Sequence, residues 1–524
     1  VPFRQSHFFW IGLICSLAAL TGAAFFLLSP GTLFSLTGEE NLQAQMRAVI
    51  QWAFHWTRPQ PQTANDLRMR YQELPPFGVN TFLEQEVEPA KRERSLQMIS
   101  EAGFRWIRQP FAWSDIEIHG KGDFEDRRND PPRSAWEKYD QIIDMAEKYD
   151  LEIIARLGAP PNWSRADGNA RGDFAPPDNF EDFADFAETI ARRYQGRLHY
   201  YQIWNEPNIY PEWGNQTVDP EAYTQLLCLT YQRIKAVDPE AVIISGAMAP
   251  TDQLGTPNSQ GGNNLMDGIF LQRMYDAGAQ PCFDVMALNN YMLWSGPTDR
   301  RMRPQLINFS RPEWIRDLMV ANGDAAKPIW ISEMNSNVVP ESLPANFGRV
   351  TEEQQARYAV AAYERIQQEW PWAGVTTVWF FKRASDAEKD QAWYYFRLVE
   401  PDFTPLPVYT SLKDYLTQLP PTLYAGRHPA NTWQLTYHGE WKAHGENRIA
   451  ETEAGLTLIW EGQNLILHTG TQSGKLYYTT ADGQSKEISL TGAPVSLPRL
   501  AAGGPQTLTL KFDPGIELTE IEIR

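Results

Sequence analysis

Tyr200-Tyr201-Gln202-Ile203-Trp204-Asn205-Glu206-Pro207-Asn208 begins as a buried strand and ends in an Asn-Glu pair that a proline separates from any following helix. A residue before proline is driven toward extended geometry, so Glu206 is expected at a strand's end, facing the space above a sheet. A second carboxylate has the same setting in Pro328-Ile329-Trp330-Ile331-Ser332-Glu333-Met334-Asn335. Two short apolar runs, each ending in a glutamate, ask what lies between and around them.

Working outward, short apolar runs alternate with segments of helical period from Phe77 onward. Candidate strands begin near Phe77, Phe104, Leu151, His199, Ala241, Phe283, Pro328 and Val375. After the first they recur every 40 to 50 residues or so, room for a strand, a loop and a helix. The intervening helices fit: Phe180, Phe183, Phe186, Ile190 and Tyr194 share one face, and Thr351-Glu352-Glu353-Gln354 reads as a capping box. Eight such units predict a (β/α)₈ barrel over residues 75–420, with its chemistry where the C-terminal ends of the strands meet.

The flanks differ. Residues 8–28 carry no charge and are long enough to span a bilayer as a helix. Arg4 precedes them and Glu39-Glu40 follow, so the positive-inside rule puts the N-terminus in the cytoplasm and the rest of the chain outside. A cleaved signal peptide is the rival reading, without a clean cleavage site to support it. Residues 39–56 read as an amphipathic helix (Leu42, Met46, Val49, Ile50, Phe54) lying on the membrane surface or on the barrel. A linker, Arg58-Pro59-Gln60-Pro61-Gln62, completes the segment 31–74. Beyond Pro420-Pro421, residues 425–524 alternate in period two between turns, which predicts a β-sandwich.

The totals narrow the function. A formal net charge of −18 over 524 residues leaves no basic footprint for nucleic acid, and it disfavours a strongly anionic polysaccharide. The 19 tryptophans exceed what an ordinary domain uses, and indole faces stack on sugar rings. Cys15, Cys228 and Cys282 lie far apart and give neither a disulfide framework nor a zinc site; two buried thiols are preferred over a Cys228–Cys282 bridge. The barrel holds only His119 and His199, so a Ser-His-Asp triad or a histidine metal cage is poorly supplied. Carboxylates remain as proton carriers, and a facing pair is what glycosidic cleavage uses.

With Trp204-Asn205-Glu206-Pro207-Asn208 ending strand four and Ser332-Glu333 ending strand seven, the chain resembles clan A retaining glycoside hydrolases from about Phe77 to Tyr415. Leu157-Gly158-Ala159-Pro160-Pro161-Asn162-Trp163 makes family 39 the nearer likeness and family 5 the alternative. The resemblance implies a general acid/base at Glu206 and a nucleophile at Glu333, with no cofactor or metal. It also implies Asn205 on the sugar 2-hydroxyl, Arg108 and Tyr291 on the nucleophile, and Trp379 at a sugar subsite. Asn289 stands where many members have histidine, so no proton relay is expected there. Trp113 and Trp163 are stacking platforms or packing residues, with Trp213 a weaker aromatic candidate. The C-terminal domain resembles galactose-binding-like sandwiches, its Trp433, Trp441, Trp460 and Tyr477 read as docking on the barrel ahead of binding sugar. The expected activity is a membrane-anchored glycosidase acting on a poly- or oligosaccharide. A transglycosylase would use the same residues. The rival from another class is a silent barrel serving as a sugar-binding or structural subunit of a membrane complex.

Overall fold

The computed structural model describes residues 30–524 apart from 56, 260, 304, 480–484 and 500–502. The predicted membrane span at 8–28 lies outside these residues, as does the Asp482-Gly483 turn; among the described residues no helix is long and apolar enough to cross a membrane.

Eight parallel strands form the central sheet: β1 (Phe77–Asn80), β2 (Trp106–Ala112), β3 (Glu152–Gly158), β4 (Tyr200–Ile203), β5 (Val242–Ile244), β6 (Met286–Asn289), β7 (Ile329–Met334) and β8 (Ala373–Val378). Sequential neighbours pair from β1 to β5 and from β6 through β8 back to β1. Bridges Ile244↔Val285 and Met248↔Leu288 close the ring between β5 and β6. All eight predicted strands are present, some shifted by a few residues.

Two helices precede the barrel, α1 (Pro30–Thr37) and α2 (Leu42–His55). One helix follows each strand: α3 (Pro89–Glu101), α4 (Glu137–Lys148), α5 (Phe180–Arg193), α6 (Pro220–Val237), α7 (Asp267–Asp276), α8 (Arg311–Ala321), α9 (Glu352–Glu369) and α10 (Pro407–Gln418). The capping box forms at α9, where Thr351 Oγ1 accepts from Gln354 N and Gln354 Oε1 accepts from Thr351 N. Phe183, Phe186 and Ile190 of α5 are buried against the sheet, as their spacing requires.

One expectation is overturned on α6. Cys228 and Cys282 form a disulfide, not two buried thiols, and it ties α6 to the segment entering β6. Fifty-four residues separate the two cysteines in sequence, and only the βα packing brings them together.

The C-terminal domain is a sandwich of two six-stranded sheets around a core that includes Leu456, Leu458, Trp460, Leu510 and Ile521. Trp460 belongs to that core and Trp441 packs on Tyr437 and Phe512. Trp433 is the docking residue: its ring meets Phe77 edge-on at 6.0 Å at the entrance to β1, and its backbone N–H donates to Gln72 O.

Candidate active site

The site lies on the C-terminal side of the barrel, but Arg108 does not end its strand as expected: it pairs with Asn80, the last residue of β1, while β2 runs on to Ala112. Arg108 on β2 is 1% exposed and organises the floor. Its Nη1 donates to Glu333 Oε1 at 2.8 Å and to Asn80 Oδ1 at 2.9 Å, its Nε to Gln202 Oε1 at 2.6 Å, and its Nη2 to Asn205 Oδ1 at 2.7 Å. Burial lowers its pKa to about 10, so it keeps its charge at neutral pH. Four strands are thus tied through one guanidinium, whose rigid planar fork suits this better than a lysine would.

Glu333, buried on β7, takes its second hydrogen bond from Tyr291 Oη, 2.5 Å from Oε2. Burial, the charges of Glu333 and Glu206, and the hydrogen bond itself push the Tyr291 phenol well above its ordinary pKa. It therefore remains an O–H donor. One carboxylate oxygen is bound by a cation and the other by a phenol, which orients the group.

Glu206 arrives by a different backbone route from the one expected. Strand β4 ends at Ile203, and both Trp204 (φ 79°) and Glu206 (φ 40°) occupy the left-handed region instead of extended geometry before the proline. Glu206 N donates to Ala247 O, Trp204 N donates to Leu157 O, and Trp204 Nε1 donates to Glu212 O at 2.8 Å. Such conformations cost roughly 1–3 kcal/mol per residue and are held by surrounding contacts. Glu206 Oε1 accepts from Asn289 Nδ2 at 2.7 Å. The backbone of Asn289 is paired in register with Glu333 across β6 and β7, which places the Glu206 partner beside Glu333. Burial, then the charges of Glu333 and Glu212, raise the Glu206 pKa well above the carboxylate range, with Asn289 and Arg108 opposing. The remaining amide atom, Asn289 Oδ1, is buried with no partner among the described residues.

Glu212 was not anticipated. It accepts a hydrogen bond from Asn205, and burial raises its pKa to about 7 against the opposing charge of Arg156. Asn205 is therefore held at both ends, by Arg108 and by Glu212. The course of the loop after β4 creates this contact, and no residue pattern announces it. Asn80 and Gln202 were also missed, although a polar residue interrupting an otherwise apolar buried strand was a usable signal.

The aromatic expectations divide. Trp379 follows β8, is half-buried and meets Phe82 edge-on at 5.3 Å. Trp113 is no platform: it is fully buried, stacks on Phe186 at 5.5 Å and donates to Glu117 Oε2. Trp213 is likewise core, packed on Trp204 and Tyr223. Trp163 is half-buried against Trp113, with its N–H on Glu117 O. The exposed indoles are elsewhere. Trp294, in the loop after β6, is 67% exposed and Trp393, in the loop after β8, is 41% exposed. Gly348 lets the neighbouring loops close at that rim, since a Cβ there would lie 1.7 Å from Leu293 O. Among the described residues no His, Cys, Asp and Glu cluster could hold a metal ion.

The cellulase model (glycosyl hydrolase family 5) matches residues 68–301, which hold β1 to β6 and Glu206 but not Glu333. No curated protein matches the chain. A family 39 glycoside hydrolase from the gut symbiont Bacteroides cellulosilyticus WH2 is similar in structure at 20% identity and TM-score 0.49, covering 84% of this chain and 82% of its own. A monomeric β-xylosidase from Caulobacter crescentus CB15 covers 87% of this chain and 99% of its own, at 14% identity and TM-score 0.46. A glucosidase from Croceicoccus marinus covers the same shares at 12% identity and TM-score 0.48.

Proposed function

We propose that this chain, a glycoside hydrolase of clan A, hydrolyses β-glycosidic bonds of a poly- or oligosaccharide with retention, through Glu333 as nucleophile and Glu206 as acid/base. The observation that carries the assignment is the unequal treatment of the two carboxylates. Glu333 receives a guanidinium and a phenol, while Glu206 is given a neutral amide and raised toward its protonated form. The first environment suits an anion that attacks the anomeric carbon; the second suits an acid that protonates the leaving oxygen.

In the first step Glu333 forms a covalent ester to the sugar as Glu206 transfers its proton to the departing oxygen. That ester removes the negative charge of Glu333 and with it one cause of the raised Glu206 pKa. Glu206 is then competent as base toward water, which releases the sugar with its starting anomeric configuration. Asn205, fixed by Arg108 and Glu212, offers its remaining N–H to the sugar 2-hydroxyl, and Asn289 Oδ1 is free to accept a hydroxyl hydrogen. Trp379 covers the sugar bound at Glu333, and Trp294 and Trp393 supply stacking surfaces farther out.

The same proposal places the enzyme outside the cytoplasm, anchored by residues 8–28. The Cys228–Cys282 disulfide supports that location, because such bonds persist in oxidising compartments. Intact mass after treatment with 2-deoxy-2-fluoro glycosides tests the chemistry. One added sugar, absent in Glu333→Ala, is expected; no adduct across a broad panel of sugars refutes it.

A further inference from the structure

Helix α2 docks on the barrel with its polar face. Gln45, Ala48 and His55 are its buried residues, while Leu42, Met46, Ile50 and Phe54 are 58, 44, 57 and 62% exposed. Their i, i+4, i+8, i+12 spacing makes one apolar ridge about 18 Å long. The helix is held this way by its surroundings. Arg301 donates to Glu39 and Gln51, Tyr358 Oη donates to Glu40 at 2.8 Å, and the Phe34 and Tyr358 rings stack at 5.8 Å. The expected choice between barrel and membrane surface is therefore not exclusive: one face is taken, and the apolar one is left over. The 21 uncharged residues 8–28 end one residue before α1 begins.

At the Phe54 end of the ridge a cavity of about 320 Å³ opens, lined in part by His55, Arg58, Arg301, Arg303, Arg311 and Asp317. Arg301 is paired with Glu39 and Asp299, Arg311 is paired with Asp267, and Asp317 accepts from Gln62 N. Arg58 and Arg303 have no carboxylate partner among the described residues. His55 is 8% exposed, is hydrogen-bonded to the Met302 backbone, and has Nδ1 buried without a partner among the described residues. Burial, then the neighbouring Arg58 and Arg303 charges, lower its pKa. The last carbonyls of α2 do not face the cavity as free acceptors: Phe54 O accepts from Thr57 and His55 O accepts from Arg58 N and Gln60 Nε2. Two guanidiniums without a carboxylate partner among the described residues, in a chain of net charge −18, describe a local site for an anion; the neutral His55 ring lines it without donating to it.

We infer that ridge and cavity form one membrane-docking surface, with Leu42, Met46, Ile50 and Phe54 in the acyl boundary and Arg58 and Arg303 receiving the phosphate of an anionic phospholipid. The inference rests on the anchored reading above and adds an orientation to it. Because α2 lies on the outer wall beside α8 and α9, the strand ends and their carboxylates open along the bilayer instead of into it. Basic groups beside an apolar helix face are the combination that holds interfacial helices on anionic lipid.

The test uses the full chain carrying Cys15→Ser and a nitroxide on Ile50→Cys, in vesicles of phosphatidylcholine with or without phosphatidylglycerol. Immersion is expected with phosphatidylglycerol, read as several-fold lower collision with an aqueous relaxing agent and higher collision with oxygen. R58E/R303E should return the label to water on those vesicles and leave hydrolysis of a small glycoside unchanged. A label equally wet with and without vesicles, on a chain that resists alkaline carbonate, overturns the docking surface while the anchor stands. Release by carbonate with immersion at neutral pH supports docking and removes only the spanning segment. Calorimetric binding of inorganic phosphate without immersion assigns the cavity to a free anion and overturns the lipid assignment. So does immersion that R58E/R303E leaves intact.

Discussion

Tyr291→Phe isolates one contact at the nucleophile. The phenylalanine ring keeps the packing of Tyr291 on Phe396, whose centroid is 5.2 Å away, so the loop after β6 retains its support. What disappears is the O–H donor 2.5 Å from Glu333 Oε2; Oε1 remains on Arg108. A hydrogen bond to a charged group contributes roughly 1.5–3 kcal/mol, and a buried carboxylate oxygen left unpaired loses about that much. If the loss falls on the step that positions Glu333 for attack, glycosylation slows by roughly 10- to 150-fold. The assay is the pre-steady-state burst with an activated aryl glycoside of the sugar identified by the fluoro-sugar panel. Its good leaving group needs little help from Glu206, so the burst reports on Glu333. A burst rate within about threefold of the parent, in a variant with unchanged thermal midpoint, would refute the claim that Tyr291 orients the nucleophile.

The remaining predictions concern charge, positioning and fold. Activity should fall as pH rises through the raised Glu206 pKa, because the acid then lacks its proton; Glu212→Gln removes one negative charge that raises that pKa, so the alkaline limb of kcat/KM should move to lower pH. An unmoved limb would mean that Glu212 does not act on Glu206. Asn205→Ala should cost roughly tenfold or more in kcat for substrates with a 2-hydroxyl and little for their 2-deoxy analogues, measured by comparing the two series. Cys228→Ala/Cys282→Ala opens a loop with a sequence separation of 54, which the chain-entropy relation values at roughly 4 kcal/mol, so the thermal midpoint should fall while hydrolysis at low temperature persists.

The barrel was legible because each strand is an apolar run and each helix keeps its period, signals carried by neighbours in sequence. Glu206, Glu333 and Tyr291 could be singled out for a related reason: each lies at or just beyond a strand end, where parallel pairing fixes direction, whereas Arg108 sits within β2. What sequence could not supply was anything decided by a loop or by packing between distant units. Trp113 and Trp163 look alike as loop tryptophans, yet the first is sealed under α5 and the second is half-covered. Trp294 and Trp393 carry no mark that distinguishes them from the other indoles, and only the folded rim exposes them. The disulfide escaped because α6 must first pack beside β6.

The largest departure is the left-handed pair at Trp204 and Glu206, where the strand-end rule expects extended geometry. An extended Glu206 would continue the pleat of β4, and its direction would be set by strand alternation alone. Two positive-φ residues instead turn the chain so that Glu206 N reaches Ala247 O and its carboxylate reaches Asn289 on β6. Proline at 207 resists the right-handed helical region for Glu206 but leaves other regions open, and fixed neighbours select among them. The strain is then offset by contacts from Leu157 on β3 and Ala247 beyond β5, both remote in sequence, and from the adjacent Glu212 loop. On the proposed mechanism, the motif supplies the acid/base carboxylate, while contacts from outside the motif set where it points. Loosening the Trp204 indole from Glu212 O should therefore misplace Glu206 without touching any residue of the reaction. Trp204→Phe, which keeps an aromatic ring and deletes the N–H, should lower kcat for poor leaving groups more than for activated ones, and equal losses on both would show that Glu206 is held by other means.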